Sequence, residues 1–117
     1  MRMRCVGKGV YRTGPGGVEK PGDFGWRIDA GNVVQIALHC PRTGVCFQYV
    51  RQGPAGDDAG KRWWSWDGNW EAPTITPSIG CDDLRTRCGQ HMVITAGDVS
   101  GLCEWERPNV AIKRAPL

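Results

Sequence analysis

No run in this sequence approaches the roughly 20 consecutive apolar residues that cross a bilayer as a helix, so no membrane partner is expected. The first nine residues carry Arg2, Arg4 and Lys8 with no apolar region behind them, so they do not read as a secretory signal. The expected location is cytoplasmic, not secreted. Also missing are internal repeats, a Gly-X-Y period and a paired Cys-x2-Cys motif. Ser78 has no Gly-x-Ser-x-Gly context. The glycine loop at residues 14–17 contains a proline and leads into no helix, so it is not a phosphate cradle. Charge of one sign is scarce as well. Fifteen basic and twelve acidic residues leave a net charge of +3, with the basic groups spread in small clusters. A dedicated nucleic-acid binder carries a denser basic stripe, so nucleic acid is not the favoured partner. Helix-forming sequence is nearly absent, the best candidate being a single turn at residues 82–86.

What is present accounts for that last absence. Seventeen glycines and eight prolines make 25 of 117 residues, against about 12% in ordinary domains. Both residue types break helices. Six tryptophans and a 40% hydrophobic fraction argue against disorder. The expectation is an all-β domain, a small antiparallel β sandwich or tent built from hairpins. A chain of this size buries only about two-thirds of its unfolded surface and often needs a staple. The six cysteines are candidates for one.

Residues 1–25 are rich in glycine and charge and read as a flexible arm, with one short strand at residues 10–12. Residues 26–107 read as a single β domain and residues 108–117 as a C-terminal tail. In residues 33–40, Val34, Ile36, Leu38 and Cys40 fall on one face of a strand, and Val33, Gln35, Ala37 and His39 on the other. Pro41 to Gly44 is a turn, and residues 45–50 supply the hairpin partner. Residues 51–62 are a polar loop. Residues 63–66 are a short strand. The two prolines in 73–79 force an extended run suited to an edge. Residues 91–95 and 99–105 flank a turn at Ala96-Gly97-Asp98 and form a second hairpin.

The cysteines are Cys5, Cys40, Cys46, Cys81, Cys88 and Cys103; the histidines are His39 and His91. Cys40-x5-Cys46 brackets a Pro/Gly turn, and Cys88-Gly89-Gln90-His91 is a Cys-x2-His pair with glycine at its bend. A tight turn lets two side chains converge on one ion, and two such pairs complete a tetrahedral Cys3His zinc site. The expected structural zinc ligands are therefore Cys40, Cys46, Cys88 and His91, with Cys81 and Cys103 as alternates. Disulfides and reduced core thiols are the other readings. Four tryptophans, Trp63, Trp64, Trp66 and Trp70, crowd an eight-residue window. Trp64 and Trp66 share one strand face and Trp63 takes the other. Two would then fill the core and one cover an edge. The alternative is an aromatic platform or cage that binds a ligand.

The run from Trp64 through Pro73-Thr-Ile-Thr-Pro77-Ser78-Ile79 to Cys88-Gly-Gln-His91 resembles a family of small uncharacterised phage and bacterial proteins, some labelled ammonia monooxygenase. The resemblance covers residues 40 to about 103. It implies metal binding by Cys40, Cys88 and His91, with Cys46 as the natural fourth, and a phage or prophage origin. It implies no established activity.

These observations favour a small zinc-stabilised binding module, phage-encoded, acting on a host factor or within the virion. Its partner would be a protein. No catalytic base stands beside a nucleophile in the sequence, so no catalytic residue is expected. The enzyme alternative is a β-tent relative of methionine sulfoxide reductases using Cys88 as nucleophile, with Arg87 beside it. An open-site metallohydrolase is a third reading.

Overall fold

The computed structural model describes residues 1–40, 44–80 and 91–101. Those residues form nine strands: β1 (Arg4–Lys8), β2 (Asp23–Asp29), β3 (Val33–Cys40), β4 (Gly44–Arg51), β5 (Gly56–Asp58), β6 (Lys61–Trp66), β7 (Ile75–Gly80), β8 (His91–Thr95) and β9 (Asp98–Ser100). No helix is present among the described residues. The fold is all-β, but it is one mixed sheet rather than a sandwich of antiparallel hairpins. Its strand order is β1-β2-β3-β4-β6-β7-β8-β9, with β5 pairing off the path onto β6. Two neighbours are parallel, β1 with β2 and β4 with β6. An isolated antiparallel bridge between Arg2 and Asp98 joins the two ends of that order, so the sheet curls round on itself.

Alternation along the strands decides where the core sits. Ile36, Leu38 and Cys40 of β3 are buried, as is Val50 of β4. Opposite them stand Phe24 and Trp26 of β2, paired with Leu38 and Ile36. Trp64 and Trp66 of β6, Ile75 and Ile79 of β7, and Met92 and Ile94 of β8 complete one apolar cluster on the inside of the curl. Each such side chain contributes about 1.5–3 kcal/mol on burial. Trp26, Trp66 and Trp70 pack as a triad with ring centroids 4.7–5.1 Å apart. The Trp70 carbonyl accepts the Trp26 indole N–H at 2.9 Å.

The hairpins expected at residues 33–50 and around Ala96–Gly97 are present. Ala96 and Gly97 both have positive φ, 47° and 79°, as a two-residue hairpin turn requires. The flexible-arm expectation for residues 1–25 fails. No strand forms at residues 10–12; the pairing lies instead in β1, parallel to β2. The cause is polar as much as apolar. The Asp23 carboxylate is almost wholly buried, bridged by Arg4 at 2.9 and 3.0 Å and by the N–H groups of Glu19 and Lys20 at 3.1 Å. Burial alone would raise its pKa; the Arg4 hydrogen bond, the two backbone donors and the Arg4 charge outweigh it and hold the pKa below the usual carboxylate value. The Met3 N–H also donates to the Gly97 carbonyl at 2.9 Å, tying the first residues to the β8–β9 turn. The expected helical turn at 82–86 and the tail at 108–117 lie outside the described residues.

Candidate active site

Strands β7 and β8 meet in the register Ile79 opposite Met92 and Gly80 opposite His91. Ile79, Met92 and Ile94 face the core. The alternate residues Ser78, Gly80 and His91 therefore share the outer face. His91 sits diagonally across from Ser78, with Gly80 between. The Ser78 hydroxyl Oγ lies 3.4 Å from His91 Nδ1. Gly80 makes this approach possible. A Cβ there would come within 3.1 Å of His91 Cε1 and 3.5 Å of both ring nitrogens. The imidazole thus lies over a bare α-carbon and reaches the hydroxyl.

The serine itself is held from below. The Trp64 indole N–H donates to the Ser78 carbonyl at 3.3 Å, anchoring the backbone of the outer-face serine to a side chain of the core. The pair opens onto a pocket of about 510 Å³. It is lined by Ala55, Gly56 and Asp57 at β5, Arg62, Trp63 and Trp64 of β6, Pro77, Ser78 and Gly80 of β7, and His91 of β8. The two charged lining residues are matched: Arg62 pairs with Asp57 at 3.4 Å. The pair is largely solvent-exposed and adds little stability, but it leaves the pocket mouth close to neutral. A hydroxyl beside an imidazole in an apolar-walled pocket is the arrangement for nucleophilic acyl transfer. The imidazole takes the hydroxyl proton as the oxygen attacks.

Residues 12–102 match the family model described as the bacterial ubiquitination-like system serine protease, BubE. The chain belongs to the BubE family. Comparison with curated proteins and with solved structures finds no match. BubE membership overturns the reading of a non-catalytic phage binding module. The family is described as a bacterial protease, and nothing supports a phage or viral protein.

Of the expected zinc ligands, Cys40, Cys46 and His91 lie among the described residues and Cys88 does not. Cys40 is buried at the end of β3, and Cys46 is half-buried on β4 with its Sγ accepting from Gln48 Nε2 at 3.1 Å. His91 stands on β8, three strand spacings from β4 in the sheet order. That is about 14 Å measured along a flat sheet. Among the described residues no group of three or more His, Cys, Asp or Glu side chains could hold a metal ion. His91 instead faces the Ser78 hydroxyl. Cys81, Cys88 and Cys103 lie outside the described residues, and with them the thiol nucleophile of the reductase reading. Cys5 is half-buried, its Sγ 3.5 Å from the Trp70 carbonyl.

The four tryptophans do not form one cage. Trp64 and Trp66 are in the core, and Trp66 donates to the Asn69 carbonyl at 3.1 Å. Trp70 leans on that core with Lys8 Nζ 4.2 Å above its ring. Trp63 alone points to the outer face, against Tyr49 at 5.3 Å with the Arg51 guanidinium 5.1 Å above it. Trp63 and Trp64 line the pocket. Sequence reasoning missed Ser78. The signal available was its place in a Pro-Ser-Ile-Gly run: a bare glycine two residues on, and a histidine heading the next strand.

Proposed function

We propose that this chain is a serine protease of a bacterial ubiquitination-like system, with Ser78 as nucleophile and His91 as general base. The observation that carries this is the 3.4 Å contact between Ser78 Oγ and His91 Nδ1 at a pocket, in a chain of the BubE family. Contacts of this kind tighten from apo to substrate-bound states.

The chemistry is acyl transfer. Ser78 Oγ bonds to the scissile carbonyl carbon while its proton passes to His91. The C=O electron pair moves onto oxygen and gives a tetrahedral oxyanion. That pair returns, the C–N bond breaks, and His91 gives its proton to the departing amine. Water then repeats the cycle on the ester, with His91 again as base, and the acid product leaves. Residues here supply nucleophile, base and orientation. General-base catalysis of this type contributes about 10²–10⁴-fold.

An activity-based test settles the roles. An alkyl fluorophosphonate is expected to label the protein once, on Ser78. Ser78→Ala should abolish labelling. His91→Gln should slow it by about 10²-fold or more while leaving the melting temperature nearly unchanged, because His91 is exposed. Labelling that persists in Ser78→Ala would refute the assignment.

A further inference from the structure

The pocket beside Ser78 originates in strand pairing. Trp63 of β6 pairs with Tyr49 of β4 on one side and with Gly56 of β5 on the other. Ser65 pairs with Arg51 of β4 and with Thr76 of β7. A strand residue has one neighbour on each side, so β5 and β7 share the edge of β6 that faces away from β4. Both run antiparallel to β6, and so parallel to each other. β5 takes that edge at residues 61–63 and β7 at residues 65–66.

Past Thr76 the β6–β7 ladder stops, where β5 occupies the same edge of β6. The remainder of β7 stays paired to β8 but stands off from β6, with β5 between them. The gap between β5 and this part of β7 is the pocket. Its two walls are strand edges. The Ser78 carbonyl turns toward Trp64 on the β6 side. Backbone polar groups alternate in direction along a strand, so Gly80 presents its N–H and C=O to that side as well. Across the gap, β5 pairs with β6 alone among the described residues, which leaves its second edge facing the pocket.

We infer that a polypeptide substrate lies in this gap as an extended strand, held by main-chain hydrogen bonds between β5 and β7. Its scissile carbonyl is thereby delivered to Ser78. The inference rests on the Ser78–His91 assignment and adds the substrate class: a segment without structure of its own, selected because its backbone is accessible. Main-chain pairing supplies affinity in this mode, and it does so whatever the side chains are. The paired rim charges, Asp57 with Arg62, fit such a site better than a charge-selective one. A helical or hairpin segment already uses the groups that the two edges would engage.

The test uses the whole chain and three probes: an alkyl fluorophosphonate, a tripeptidyl phosphonate pool with randomised side chains, and the same pool with N-methylated backbone amides. The expected result is that the peptidyl pool saturates and labels Ser78, with N-methylation reducing its second-order rate by about 10-fold or more, since each lost main-chain bond is worth up to about tenfold. An N-methylated pool that labels Ser78 as fast as its parent overturns the strand site and leaves the Ser78–His91 pair standing. An alkyl fluorophosphonate that fails to modify Ser78 overturns the catalytic assignment beneath it.

Discussion

Gly80→Ala adds one methyl group on the outer face of β7, at a position whose φ is ordinary for a strand. The added Cβ lies 3.1 Å from His91 Cε1, a few tenths of an ångström inside ordinary van der Waals contact. β7 is fixed on its core side by Ile75 and Ile79, each 1% exposed, so the backbone yields less readily than the exposed imidazole. The ring moves away, and the Ser78–His91 separation of 3.4 Å has no slack before it ceases to be a hydrogen bond. A displacement approaching 1 Å in a catalytic group slows reaction by about 10²-fold. A shift of a few tenths is expected to slow fluorophosphonate labelling and peptide hydrolysis by about 2–10-fold, or about 0.4–1.4 kcal/mol in the barrier. The fold responds in the opposite sense. Alanine in a strand interior is favoured over glycine by roughly 0.5–1 kcal/mol, so the thermal midpoint should hold or rise. Labelling kinetics and a melting curve on one preparation read both. Unchanged kcat would mean that the imidazole is not seated over Gly80, and the reasoning from strand register to catalytic geometry would fall.

Trp64→Phe keeps an aromatic ring in the core and deletes the donor to the Ser78 carbonyl; it should lower stability by at least about 1 kcal/mol and slow labelling, read by denaturant titration and phosphonate kinetics. Asp23 has a folded-state pKa below its unfolded value, so its contribution is present above pH about 4 and lost as pH falls through the folded pKa. Acid titration of stability should show this loss, and Asp23→Asn, weaker by about 1–3 kcal/mol at neutral pH, should flatten it. Gly97→Ala puts a Cβ 3.0 Å from the Ala72 Cα at a φ of +79°, so it should destabilise by about 1–3 kcal/mol in a melt.

Local pattern was readable where one strand and its neighbour in sequence settle the matter. The β3–β4 hairpin follows from alternation on both sides of a Pro/Gly turn. Trp64 and Trp66 were correctly separated from Trp63 by period two alone. Pairings between distant segments left no such trace. Nothing in the composition of Arg4–Lys8 announces a parallel partner 19 residues on; the buried Asp23 that fastens it looks in sequence like one more loop acid. The catalytic pair failed for the same reason. Its members are 13 residues apart, and sequence adjacency offered His91 a different companion, Cys88. The Ser78 contact exists because Gly80 stands opposite His91, a fact of register.

The Arg2–Asp98 bridge brings the two ends of the curled sheet together, and this matters most for its rims. An open sheet of this length would offer β1 and β9 as sticky borders to any other extended chain. Here each border is turned toward the other and latched by the Met1 ammonium on the Val99 carbonyl and by Arg2 on the Ala96 carbonyl. The strand edges on the pocket wall are left ungated. Among the described residues, the N-terminal latch takes the two borders of the strand order out of play and leaves the edges at the pocket open.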